Sequence, residues 1–365
     1  MNQRETMSEQ PVFILGCSKS GTSLLRNLFD GHPAVFAAPL ESHFFQHTGS
    51  WVSYFFRRSH PRRLTIEEMK NELVSWIDFS NRRVNLFADG FTAGKWNLER
   101  FKETMFSKQV SGLRELSDLY IESMYVSLYD KPYPGLIFVE KSVENVEFVQ
   151  EWLKLYPDAK FVHILRNPYS NLVAIRKFMH SVRVPFLNRA LVSMHQSYYF
   201  LYKNLSLINP AQYKVILYED LLNDPQKMMV ELANFAGMDF EDILLTPTVS
   251  REMWSGNSTN RTSFTGVSNQ NIEKWKGEIT RYEIFVVNKL FDHVLTDFHF
   301  EKISPDHVKK TLLPKEGLFN YAMNKISYYY LPKPNERMTD EQRKRSKERF
   351  FVHDGMNGSD KKLEI

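Results

Sequence analysis

Apolar positions along the chain fall into two periods. Val12-Phe13-Ile14-Leu15 is an unbroken apolar run, the pattern of a strand buried on both faces of a parallel sheet. A small-residue loop follows over 16–21. Leu24, Leu25, Leu28 and Phe29 then recur at helical spacing across residues 22–30, and Gly31-His32-Pro33 supplies the stop. The chain therefore opens as strand, tight loop, helix. Residues 136–139, 160–165 and 213–218 read as three further buried strands. Helical periodicity covers 146–156, 169–180 and 225–237, the last with Pro225 in its first turn. From Glu41 to about Gly135 the pattern is mostly helical and aromatic, broken at Pro61 and near 88–94. Such alternation predicts an α/β fold with a parallel sheet covered by helices on both faces. The predicted domain spans 11–300 with a helical insertion at about 46–130, and 301–365 forms a C-terminal extension. Pro305, Pro314, Pro332 and Pro334 punctuate that extension before a charge-dense end, which reads as a solvated tail, a lone surface helix or an interaction arm.

Composition narrows the class. The chain has 365 residues, 42% hydrophobic and 25% charged, as expected for a globular protein that buries its own core. Cys17 is the only cysteine, so no intrachain disulfide can form and a reducing, cytoplasmic setting is expected. A net charge of +4 is too mild to imply nucleic acid and suits a small polyanion. No apolar run approaches the ~18 residues of a membrane span, and 11–16 is shorter than a signal-peptide core. Internal repeats are absent.

Gly16-Cys17-Ser18-Lys19-Ser20-Gly21-Thr22-Ser23 lies between a buried strand and a helix. There backbone N–H groups and the helix dipole converge on an anion. A nucleotide-hydrolase loop needs lysine directly after its second glycine; here Thr22 holds that place and the lysine sits inside the loop, at Lys19. The sequence offers no obvious acidic residue at a later strand end to hold Mg²⁺, since the third strand runs into Arg166. The segment Ser18-Lys19-Ser20-Gly21-Thr22-Ser23 resembles the 5′-phosphosulfate loop of sulfotransferases that use 3′-phosphoadenosine 5′-phosphosulfate (PAPS). That resemblance implies a P-loop-type sheet, with Ser18, Lys19, Ser20, Gly21, Thr22 and Ser23 around the 5′-phosphosulfate. Lys19 would contact the bridging oxygen and the sulfuryl group.

Two further anchors follow in order. Phe161-Val162-His163-Ile164-Leu165-Arg166-Asn167-Pro168 is similar to the family's strand ending in Arg-Asn-Pro. A guanidinium there can grip a 3′-phosphate through two parallel charge-assisted bonds. The family's serine eight residues later is replaced by Ala174, and Ser170, one turn earlier, is the substitute the sequence offers. Tyr218-Glu219-Asp220-Leu221 resembles a family segment that ends a strand and starts a helix. In the later cofactor-loop region, Arg261 is a candidate for the 3′-phosphate, and Trp275 packs either near the adenine or in the core.

Glu41-Ser42-His43-Phe44-Phe45 resembles the active-site segment of glycosaminoglycan O-sulfotransferases. The resemblance implies Glu41 as general base, His43 as a supporting polar group, and Lys141 of Glu140-Lys141-Ser142 as a partner of the transferring sulfuryl group. Transfer to an acceptor hydroxyl requires such a base, because a neutral hydroxyl is a poor nucleophile. The other histidines, including His163, show no ligand spacing, so no zinc is expected, and no metal is demanded because a phosphosulfate carries fewer charges than a nucleoside triphosphate. The implied reaction moves a sulfuryl group from PAPS to a carbohydrate or small-molecule hydroxyl, releasing 3′,5′-adenosine bisphosphate. A P-loop kinase or hydrolase, and a non-catalytic anion-binding relative, are the alternatives. The first lacks its lysine at Thr22; Ala174 is the residue that speaks for the second.

Overall fold

The computed structural model describes residues 10–52, 59–82, 95–181, 187–254, 256 and 266–307. In chain order the elements begin β1 (Val12–Gly16), α1 (Thr22–Phe29), β2 (Val35–Ala37), α2 (Phe44–His47), β3 (Ser50–Val52), β4 (Ser59–Pro61) and α3 (Ile66–Arg82). Next come α4 (Leu98–Phe106), α5 (Leu113–Tyr129), β5 (Ile137–Glu140), α6 (Val149–Leu155), β6 (Lys160–Leu165), α7 (Pro168–Ser181) and α8 (Leu187–Leu207). The remainder are β7 (Tyr213–Leu217), α9 (Tyr218–Asn223), α10 (Pro225–Ala236), β8 (Thr248–Val249), β9 (Glu252–Met253) and α11 (Arg281–Asp297). The main sheet has the order β2-β5-β1-β6-β7 and is a parallel sheet flanked by helices, as the alternation predicts.

The strands read from unbroken apolar runs form where expected, because a run without polar positions can be satisfied only by burial on both faces. All five residues of β1 are buried, and Phe13 stacks on Trp152 with ring centroids 4.2 Å apart. Several boundaries differ from the sequence reading. β2 is a strand of three residues, too short for periodicity to register. Strand β7 ends at Leu217, since Tyr218 already opens α9. The amphipathic stretch at 146–156 is a 3₁₀ turn, Val143–Glu147, leading into α6. The helical region after Glu41 also contains the antiparallel β3–β4 pair.

Helix ends follow their capping chemistry. Asp224 accepts the Lys227 backbone N–H at 3.1 Å ahead of Pro225, and Gly237 closes α10 with φ +74°, a backbone that glycine adopts without strain. Thr280 and Glu283 form a reciprocal capping box at the start of α11.

The described chain divides into two compact units. One comprises residues up to Leu15, Gly21–Lys160 and Asp220–Asn269; the other comprises Gly16–Ser20, Phe161–Glu219 and the chain from Gln270 onward. In the first, β2, β5 and β1 run parallel, with Val35 opposite Ile137 and Val12 opposite Val139. In the second, β6 and β7 pair from Phe161–Tyr213 through Leu165–Leu217. Trp275 belongs to the core of the second unit: it is buried and stacks on Tyr169 at 5.6 Å.

His163 is fully buried on β6 and hydrogen-bonds the Tyr213 hydroxyl at 2.8 Å. Burial lowers its pKa to about 3, so the folded ring stays neutral where the unfolded ring titrates near 6.5. Its contribution to stability is complete above about pH 6.5 and is lost as pH falls toward the folded value. Urea midpoints of His163→Gln should therefore show a stability slope shallower than the parent's by up to ~1.4 kcal/mol per pH unit between about pH 6.5 and pH 5. Identical slopes would remove His163 as the source.

Candidate active site

The turn after β1 is built from backbone that folds back on itself. Ser20 donates its N–H to the Cys17 carbonyl at 3.1 Å, and Gly16 and Lys19 have φ of +148° and +63°. A left-handed lysine is uncommon, and the turn is tied from outside. Asn171 Nδ2 donates to the Ser18 carbonyl at 2.8 Å, and Arg166 Nη1 donates to the Lys19 carbonyl at 3.0 Å. Lys19 Nζ lies 4.3 Å from the centroid of the Phe178 ring. The hydroxyl oxygen of Ser20 is buried without a hydrogen-bond partner.

Arg166 leaves β6 at its C-terminal end and is held on three sides. Its Nε donates to Ser170 Oγ at 2.9 Å, its Nη1 holds the turn, and its guanidinium carbon lies 4.7 Å from the Tyr218 ring centroid. Glu219 Oε1 accepts the Asn167 N–H at 3.1 Å, fixing the Arg-Asn-Pro segment. Sequence reasoning located Arg166, Ser170 and the turn; it did not foresee Phe178, Tyr218 or Glu219 as their supports. Ser170 is already engaged by Arg166, but its hydroxyl keeps a proton to donate. Thr22 and Ser23 open α1, whose N-cap is Gly21 at φ +107°. No side chain caps this end, and no acidic residue occupies the first turn, which leaves first-turn N–H groups and the positive end of the helix for an anion. Arg261 lies outside the described residues.

A second cluster forms where β2 and β5 end side by side. Because the strands are parallel, both chains leave at the same edge, and the Ala38 N–H still bonds the Val139 carbonyl at 2.8 Å. Three residues on from Ala38 is Glu41; one beyond Glu140 is Lys141. Lys141 Nζ donates to Glu41 Oε1, and both side chains are below one-tenth exposed. The other oxygen, Glu41 Oε2, is buried with no hydrogen-bond partner. His43 Nε2 lies 3.4 Å from that oxygen. The opposite ring nitrogen, Nδ1, lies 3.4 Å from Glu144 Oε2 and 3.0 Å from Gln46 Nε2. Burial, reinforced by the Lys141 charge, lowers the His43 pKa to about 3, so the imidazole is neutral. Burial and the Glu41 charge push the Glu144 carboxyl well above its ordinary range.

Glu140 organises this edge. Its carboxylate accepts the Ser42 N–H at 2.9 Å, the Ser142 hydroxyl and the Asn145 amide. Ser142 Oγ in turn accepts the His43 N–H at 3.3 Å. His43 sits at φ +47° as the residue before α2, and the pair of bonds from Ser42 and His43 to the β5 end supports that backbone. Trp76 of α3 donates its indole N–H to the Glu41 carbonyl at 3.0 Å, and Tyr120 of α5 donates to the Ser42 carbonyl at 3.2 Å. Glu140, Glu144, Gln46, Trp76 and Tyr120 were not singled out from sequence. Only adjacency to Lys141 and the spacing Glu41–His43–Gln46 carried any signal for them. Glu41, His43 and Glu144 each offer one ligand atom within 4.8 Å of the others, so a metal-compatible spacing exists that sequence spacing did not show.

With this geometry in place, comparison with known proteins identifies the class. Residues 11–242 match the model of the Sulfotransferase family, which is more than half of the chain, and the chain belongs to that family. It is 24% identical over 270 residues to the omega-hydroxy-beta-dihydromenaquinone-9 sulfotransferase Stf3 of Mycobacterium bovis, covering 64% of this chain and 65% of that protein. It is 20% identical over 326 residues to an uncharacterized protein of Aquifex aeolicus, covering 87% of this chain and 36% of that protein. The chain thus spans under two-thirds of the length of both relatives. Among solved structures, the sulfotransferase domain from the curacin biosynthetic pathway superposes with a TM-score of 0.49 at 20% identity, covering 79% of this chain and 99% of that domain. Among the described residues, no helix is long and apolar enough to cross a membrane.

Proposed function

We propose that the protein is a PAPS-dependent sulfotransferase acting on the hydroxyl of a small-molecule or carbohydrate acceptor, with Glu41 as general base. The observation that carries the reading is the state of the Glu41 carboxylate. One oxygen is held by a buried ammonium, and the other is buried and unpartnered. A carboxylate so held stays oriented and keeps a lone pair for an incoming O–H. Family membership and the anion-binding character of the Lys19 turn support the donor assignment, and the name of Stf3, a sulfotransferase of a hydroxy-menaquinone, supports a hydroxyl acceptor.

In the proposed step the acceptor oxygen attacks sulfur as its proton passes to Glu41 Oε2. The bond between sulfur and the bridging oxygen breaks, and 3′,5′-adenosine bisphosphate departs. Negative charge grows on that bridging oxygen, and Lys19 is the cation assigned to stabilise it. Thr22 and Ser23 add hydroxyl donors to the 5′-phosphate. Arg166 binds the 3′-phosphate by exchanging its bond to the Lys19 carbonyl for charge-assisted bonds to phosphate oxygen, with Ser170 donating its free hydroxyl proton. Lys141 holds the other oxygen of Glu41 and supplies the positive charge on the acceptor side. This chemistry needs no metal, and a cytoplasmic location fits the reducing setting inferred from the single cysteine.

Calorimetry provides the test of the donor site. The bisphosphate should bind without metal and ATP with Mg²⁺ should bind poorly; the reverse order would establish a kinase-like site instead. A second measurement addresses the base. Glu41→Gln should keep bisphosphate affinity while transfer falls by roughly 10²–10⁴-fold, and unchanged turnover would exclude Glu41 from proton transfer.

A further inference from the structure

We infer that Phe178 is a positioning residue for Lys19: the electron-rich face of its ring sets where the ammonium stands at the turn, so that donor affinity depends on the charge of that face. The inference rests on the reading of Lys19 as the cation of the phosphosulfate site, and it gives α7 the part of placing that cation.

The backbone of Lys19 is fixed more firmly than its side chain. Asn171 Nδ2 donates to the Ser18 carbonyl at 2.8 Å, Arg166 Nη1 donates to the Lys19 carbonyl at 3.0 Å, and Lys19 itself stands at φ +63°. These bonds leave the side-chain torsions undecided. Lysine is among the residues with the most rotamer freedom to lose, so one fixed Cα still allows many ammonium positions. Lys19 Nζ lies 4.3 Å from the Phe178 ring centroid, inside the ~6 Å over which a ring quadrupole attracts a cation. The ring therefore favours one position of the ammonium over the rest.

A positioning group must itself be held, and α7 is. Buried Arg176 pairs with Glu283 of α11 at 3.1 Å and donates to the Glu278 carbonyl at 3.1 Å. Tyr169 stacks on Trp275 at 5.6 Å. Asn171 and Phe178 lie seven residues apart on α7, two helical turns, and so share one face. That face grips the backbone of the turn with an amide and meets its ammonium with a ring. Backbone and charge are thus registered against the same helix.

An ammonium has three N–H groups, and those turned away from the ring are the ones the bridging oxygen can take. Part of the ring contact can be given up to the donor while the ring still backs the charge. A cation already in place raises the fraction of the protein competent to bind, and donor affinity scales with that fraction. Apolar packing of the lysine stem on the ring is the competing account of the contact. It depends on the shape of the ring and not on the charge of its face, which separates the two by experiment.

The test is calorimetry of 3′,5′-adenosine bisphosphate on the full chain, with Phe178 replaced in turn by mono-, di- and trifluorophenylalanine. Fluorine drains the ring face while barely changing its shape. The Kd should rise step by step along the series, to about fivefold at the last member, and Phe178→Leu should match that last member. The same series in a Lys19→Met background should be flat, because no cation then faces the ring. NMR of lysine-labelled protein supplies a second readout: the Lys19 ε-methylene protons, assigned by their loss in Lys19→Met, should be shifted upfield by the ring and lose that shift in Phe178→Leu. A flat series in a parent that binds the bisphosphate, a series equally steep without Lys19, or the absence of the upfield shift overturns the inference alone. A parent that does not bind the bisphosphate defeats the donor reading, and the inference with it.

Discussion

The Glu41 cluster depends on keeping two opposite charges, Glu41 and Lys141, out of water. Each ion alone would cost several kcal/mol to bury, and their attraction repays that cost only where the remaining polar atoms are satisfied. Lys141 satisfies Glu41 Oε1 while Oε2 stays buried without a partner, and the surrounding bonds fix the backbone that carries the pair. Glu140 gathers three donors at the end of β5, Trp76 and Tyr120 pin the carbonyls of Glu41 and Ser42, and Ser142 holds the His43 N–H. The left-handed backbone of His43 follows from the same requirement, since it turns the chain from an extended segment into α2 while the ring stays beside Glu41.

The Lys19 turn gathers positive charge in a different way. Each cation lies over an aromatic ring. Lys19 lies over the face of Phe178, Arg166 lies over Tyr218, and Arg166 also bonds a carbonyl of the turn itself. Cation–ring contacts and carbonyl bonds are weak enough to be exchanged for phosphate oxygens. Glu219 is close by, yet it is occupied by the Asn167 N–H and so orders the Arg-Asn-Pro segment.

Features governed by local sequence were the legible ones. Strand β1 announces itself as an unbroken apolar run, and β5, β6 and β7 as mostly apolar runs that admit Glu140, His163 and Lys214. The Lys19 turn and Arg166 could be read because each directly follows such a strand. Strand β2 was not legible: three residues carry no period. Nor was the start of α9 at Tyr218, where an apolar strand passes into a helix without a breaker. The supports of Glu41 were hidden for a different reason. Ser42 meets Glu140 across 98 positions and Glu41 meets Lys141 across 100, so their partnership exists only through the parallel pairing of β2 with β5. Glu144 carried no signal at all, because an acid in a 3₁₀ turn resembles any solvated acid until the fold buries it.

The central claim is that Glu41 and Lys141 act as one buried unit, and a double-mutant cycle on stability measures it most directly. Glu41→Gln and Lys141→Met, alone and together, would be compared by urea denaturation. Each single change strands a buried charge, so the account predicts that the double variant recovers stability relative to the sum of the singles, with a coupling of about 2 kcal/mol. Strict additivity would show that the two side chains do not share a buried environment and would contradict the account.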